Sequence, residues 1–160
     1  MQDDNMDAYI AQRKETLKFG ALPTIDQEED IKHKEKLLQG YVFLKYGSWG
    51  EPGMRVISLT PDLQLLEWKH EGEERASGYL TMKSLMGIKF GRTTSNFKRR
   101  PAKKPEQEKL SFTVVGEKRN LDLEASSQEQ MDEFLEGLVS VLKFMKMKKN
   151  STSTSSAKPK

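Results

Sequence analysis

The sequence predicts a mainly β domain: seven short antiparallel strands, arranged as a small barrel or two orthogonal sheets and capped by one C-terminal amphipathic helix. Two observations predict it. Between Leu37 and Ala125, short apolar runs recur with turn signals between them, GSWGEPG, TPDL, HEGEER and GEKRN, the pattern of antiparallel strands. After Ala125 the apolar residues recur at helical spacing instead.

Residues 1–36 read as a polar, acidic leader. It has a weak amphipathic helix from about Met6 to Leu17, a break at Gly20 and Pro23, and a second short helix from Gln27 to Lys36. Strands are expected at 40–46, 54–59, 63–69, 77–82, 85–90, 110–115 and 119–124. Ser126 followed by Glu129 fits a capping box, in which the hydroxyl takes a helical amide and the carboxylate reaches back. Met131, Phe134, Leu135, Leu138, Val139, Leu142 and Met145 then form one apolar stripe, which needs a sheet to cover. The domain therefore spans 37–147, and residues 148–160, ending in NSTSTSSAKPK, form a polar tail expected to be disordered.

A chain of 160 residues has room for one domain with a real core. With no cysteine it has no disulfide framework and no thiol chemistry, which suits a reducing, cytoplasmic setting. No apolar run approaches the roughly 20 residues needed to span a bilayer, and MQDDNMDAYI lacks the features of a signal peptide. Any membrane contact is then peripheral. Gln at position 2 excludes myristoylation of the chain as written.

The formal charge of +3 hides an asymmetry: residues 1–30 carry eight acids and three bases, so the remainder is net +8. A basic body favours an anionic partner. An acidic leader could fold over a basic pocket and inhibit it. The two histidines, His33 and His70, stand in no metal or triad pattern, and there is no Walker motif or GxGxxG. The expectation is a monomeric binding protein, with no catalytic residues, metal or cofactor.

The order of elements and several strings resemble the pleckstrin homology (PH) domain, above all the version at the start of delta-type phospholipase C. The strings are LLQGYVFLK at the first strand, IKFGRTTSNF after the fifth, LSFTVV at the sixth, and KRNLDLEASSQEQMDEFLEGL running into the helix. The chain is also similar in size to the small acylated PH proteins of apicomplexan parasites, described as recognising phosphatidic acid on secretory organelles. The family's mark is a Lys late in the first strand, then a basic residue, a spacer and an Arg in the second. Lys45 and Arg55 match its two ends, whereas the middle basic position falls near Gly53. The helix has Phe134 where the family usually has Trp.

The resemblance implies a lipid-phosphate site of Lys45 and Arg55, joined by Lys69 and by Arg75 from the opposite loop. Trp49, at the tip of the first hairpin, suits insertion at headgroup level. Arg92, Lys98, Arg99, Arg100, Lys103 and Lys104 form a run with no acid between residues 91 and 104, a candidate electrostatic membrane patch. With no aromatic platform beyond Phe97, that run suits nucleic acid poorly. Trp68 belongs to the core, and Lys143, Lys146, Lys148 and Lys149 complement the helix dipole. These features point to a noncatalytic peripheral adaptor that docks on phosphatidic acid or a phosphoinositide, in signalling or regulated secretion. The alternative is a protein-binding PH scaffold.

Overall fold

The computed structural model describes residues 16–18, 27–48 and 50–156, including the side chains of residues 32–48 and 50–146. The seven expected strands are present, here β2 (Tyr41–Tyr46), β3 (Gly53–Leu59), β4 (Leu65–Lys69), β5 (Gly78–Thr81), β6 (Leu85–Phe90), β7 (Ser111–Gly116) and β8 (Asn120–Glu124). A short β1 (Thr16–Lys18) precedes them. Among the described residues there are four α-helices: α1 (Gln27–Gln39), α2 (Ser95–Lys98), α3 (Pro105–Lys109) and α4 (Gln128–Ser156). The hydrogen-bonded order is β1-β6-β7-β8-β2-β3-β4-β5, with every pair antiparallel. Strands β5 and β6 follow one another through a 3-10 turn, Met82–Ser84, without pairing, so the sheet is not closed.

Alternation along the strands sends one face of the sheet inward. Phe43, Ile57, Leu66, Ile88, Phe112, Val114, Leu121 and Leu123 are fully buried, as period-two patterning requires. The apolar stripe of α4 covers them through Met131, Phe134, Leu135, Leu138 and Val139, with Leu142 and Met145 packed at its margin. Phe134 is the aromatic plug of the helix: its ring lies 4.9 Å from Phe43, 5.5 Å from Tyr41 and 5.9 Å from Phe112. These are the offset and edge-on distances aromatic pairs prefer.

The cap of α4 sits one residue later than the sequence suggests. Ser127, not Ser126, accepts the helical amide, from Gln130 at 3.1 Å, and Gln130 reaches back to the Ser126 amide at 2.8 Å. Serine and glutamine recur in SSQEQ, so two capping registers are available, and the one that fits the apolar stripe to the sheet is used. The α4 backbone also continues past residue 147 to Ser156, where a disordered tail was expected; an established helix extends by adding one bond per residue fixed.

The leader differs most from expectation. Residues Thr16 and Leu17, placed in a helix by sequence, instead pair with Lys89 and Ile88 on the edge of β6. The pairing satisfies a row of backbone groups that an edge strand otherwise leaves open. The rest of the Met6–Leu17 segment lies outside the described residues. Helix α1 runs through the expected boundary at residue 36 and stops at Gly40, whose φ of +102° is accessible to glycine and whose amide bonds the Lys36 carbonyl at 3.0 Å. Leu37 is fully buried against α4, where a Cβ on Gly137 would stand 3.5 Å from it. Lys36 Nζ donates to Glu133 at 2.7 Å, and His33 Nδ1 meets Ser140 Oγ at 2.9 Å. The described part of the leader thus lies on α4 and β6, not over the basic loops.

Candidate functional site

Helix α4 meets the start of β2, where Gln130 Nε2 donates to the Val42 carbonyl at 2.8 Å. The opposite end of the sheet carries three loops: β2–β3 over residues 47–52, β4–β5 over 70–77 and β7–β8 over 117–119. Lys45 stands at that end of β2, paired with Gly53 on β3 and with Leu123 on β8. Arg55 pairs with the buried Phe43, so it shares the inner face with Lys45.

The position where the family pattern has a third base is not vacant. Gly53 leaves the room that the Arg55 guanidinium takes: a Cβ there would lie 2.7 Å from Nη1, which donates to the Met54 carbonyl at 2.9 Å. A third cation arrives from the β7–β8 turn. Arg119 lies over the Trp68 ring, 5.0 Å from its centroid, and Lys45 Nζ lies 5.2 Å from the same centroid. Trp68 itself is buried on β4 as expected and packs across Gly78, where a Cβ would come within 2.6 Å of the indole.

Electrostatics in this cluster are unbalanced. Burial lowers the pKa of Lys45 below its ordinary value, and the Arg119 and Arg55 charges lower it further, with only Asp122 acting the other way. Among the described residues, Lys45, Arg55 and Arg119 make no ion pair with a carboxylate. Sequence pattern alone does not single out Arg119. Its one signal was its place in the turn GEKRN, and only the pairing of β8 with β2 brings that turn beside Lys45.

The other expected site residues are placed differently. Lys69 pairs with Val56, one residue out of phase with Trp68 and Ile57, so it projects from the opposite face of the sheet. Arg75 is exposed in the β4–β5 loop, and no hydrogen bond, ion pair or ring contact joins it to the cluster. Trp49 lies outside the described residues. Among the described residues, no three metal-type ligands gather where an ion could sit, and no helix is long and apolar enough to cross a membrane.

The basic run 92–104 divides into three kinds of residue. Arg92 is buried and fully engaged. It pairs with Glu124 at 2.6 Å, donates to Tyr46 Oη at 2.8 Å, to Ser111 Oγ at 3.0 Å and to the Arg100 carbonyl, and stacks on Tyr46 and Phe97. It is a structural residue rather than a membrane cation. Phe97 is fully buried in the same cluster, which removes the only aromatic platform of the run. Beside it, buried Asp122 accepts from Thr113 at 2.6 Å, Thr94 at 2.8 Å and Asn96 at 2.9 Å. Arg99 and Arg100 reach the β2–β3 loop. Lys98, Lys103 and Lys104 are exposed cations.

No family model and no curated protein matches the sequence. Solved structures do resemble the fold. A structure described as the PH domain from TgAPH aligns over 75% of this chain and 93% of its own, at 14% identity and a TM-score of 0.51. The PH domain from PfAPH aligns over 78% and 97%, at 16% identity and a TM-score of 0.50. Inner membrane complex sub-compartment protein 1 of Toxoplasma gondii aligns over 78% and 98%, at 16% identity and a TM-score of 0.48. The first two likenesses, with the open antiparallel sheet and its C-terminal helical plug, show that this chain has the pleckstrin homology fold.

Proposed function

We propose that the chain is a noncatalytic binding module that docks on a membrane by holding the phosphate of an anionic phospholipid between Lys45, Arg55 and Arg119. The PH fold supports a lipid- or protein-binding module in general. The observation that carries the lipid reading is the cluster itself: three cations at the loop end, one with its pKa lowered, and none paired with a carboxylate among the described residues. Proteins rarely gather like charges beside a half-buried lysine without a counter-charge, and a phosphate reached by half-buried Lys45 and Arg55 and by exposed Arg119 supplies one. Lysine would act as a point charge and the two guanidinium groups as planar forks, so a phosphomonoester, as in phosphatidic acid or a phosphoinositide, suits the set. Lys98, Lys103 and Lys104 add nonspecific attraction to an anionic surface, screened by salt.

The test is pelleting with neutral vesicles doped, at matched total charge, with phosphatidic acid, phosphatidylserine, or singly or doubly phosphorylated phosphatidylinositol. The expected result is selective binding to one phosphomonoester lipid, weakened about tenfold or more by Lys45→Ala or Arg119→Ala. Equal binding to all lipids, vanishing in salt, refutes a headgroup site and leaves the fold as a protein-binding scaffold.

A further inference from the structure

Arg99, which caps the C-terminus of α2, and Arg100 after it reach the loop that carries the tip of the first hairpin. Arg99 Nη2 donates to the Ser48 carbonyl at 2.9 Å and to Asn96 Oδ1 at 2.7 Å. Arg100 Nη2 donates to the Gly50 carbonyl at 2.9 Å, and its Nη1 pairs with Glu51 at 2.9 Å. Loop 47–52 contains three residues whose backbone or side chain is held this way, and two are backbone carbonyls that only a donor can satisfy. The arginines are themselves seated. Asn96, which bonds Arg99, also donates to buried Asp122 at 2.9 Å, and the Arg100 carbonyl accepts from buried Arg92. A chain of hydrogen bonds therefore runs from the buried polar cluster to the hairpin loop.

We infer that Arg99 and Arg100 are positioning residues of the proposed headgroup site: they fix the β2–β3 loop so that Lys45 and Arg55 stay uncovered at its base. The inference rests on that proposed site. It separates geometry from charge, because a lysine keeps the charge but cannot reproduce the planar fork that bonds two loop groups at once. A loop with no such tether pays ordering entropy when the headgroup binds.

The experiment measures vesicle affinity for the preferred lipid together with amide hydrogen exchange over residues 47–52, in Arg99→Lys/Arg100→Lys, Glu51→Gln and Lys45→Ala. The doubly substituted protein should bind about fivefold more weakly at unchanged net charge. Its loop amides should exchange faster while those of β2 and β8 do not, which distinguishes loop release from unfolding. Glu51→Gln should not tighten binding, although it removes a negative charge beside the surface. Unchanged affinity and exchange in the double variant, or binding tightened about fivefold by Glu51→Gln as charge alone predicts, overturns the inference. Lys45→Ala without effect overturns the headgroup reading as well, whereas loss of binding with Lys45→Ala but not with the double variant overturns only the positioning role.

Discussion

Two groups of cations on opposite faces of the same sheet behave in opposite ways. On the outer face, Arg92 meets Glu124, two hydroxyls, a carbonyl and two aromatic rings, so each direction of its guanidinium fork is used. On the inner face at the loop end, Lys45 and Arg119 share the Trp68 ring and the Arg55 charge bears on Lys45, with no carboxylate partner for any of the three among the described residues. A cation that the protein satisfies itself is part of the architecture. A group of cations that the protein leaves repelling one another costs the fold stability, and under the proposed function that cost is what a bound anion would offset.

The largest effect belongs to the satisfied group. Arg92→Ala leaves Glu124 short of its counter-charge and takes a donor from Tyr46 Oη and Ser111 Oγ, which keep only the bonds they donate to Glu124 and to the Gln107 carbonyl. It should destabilise the domain by about 3–5 kcal/mol, which for a domain of this size lowers Tm by about 10 °C, as thermal denaturation will show. An unchanged Tm would break the comparison at its structural end. The same substitution should not act as loss of a membrane charge: wherever the fold survives, headgroup selectivity is retained.

The unsatisfied group should respond with the opposite sign. Lys45→Met removes a charge that burial and two arginines disfavour, so thermal stability should rise while affinity for phosphate lipid falls about tenfold. A variant that loses both would mean Lys45 holds the fold together as Arg92 does. The pH dependence follows the same sign. Because the folded pKa of Lys45 lies below its unfolded value, the unfolded chain binds the extra proton between the two. The penalty is complete below the folded value and disappears as pH rises towards the ordinary lysine value. This alkaline gain in stability should be absent in Lys45→Met.

Much of the fold was legible from the period of the apolar residues. Alternation located seven strands to within two residues, and the spacing from Met131 to Met145 located the helical plug, because both patterns are local. The leader strand was not legible, since TLK has no periodicity and is fixed by the open edge of β6 rather than by its own residues. The site divides in the same way. Lys45 and Arg55 lie on one hairpin and could be found by their spacing, but Arg119 joins them only through the pairing of β8 with β2. Lys69 was misplaced because its phase relative to Trp68 depends on register, and one residue decides the face. Arg92 could not be told from its basic neighbours by composition; its acid, Glu124, is distant in sequence.

The most direct test follows the Lys45 side chain itself by NMR through an alkaline titration, alone and with a soluble inositol bisphosphate or glycerol phosphate. The free protein should show Lys45 titrating below the ordinary lysine range, and a bound phosphate should move it back up as it supplies the missing counter-charge. An ordinary titration that neither phosphate shifts would contradict the claim that this cluster is built to receive an anion.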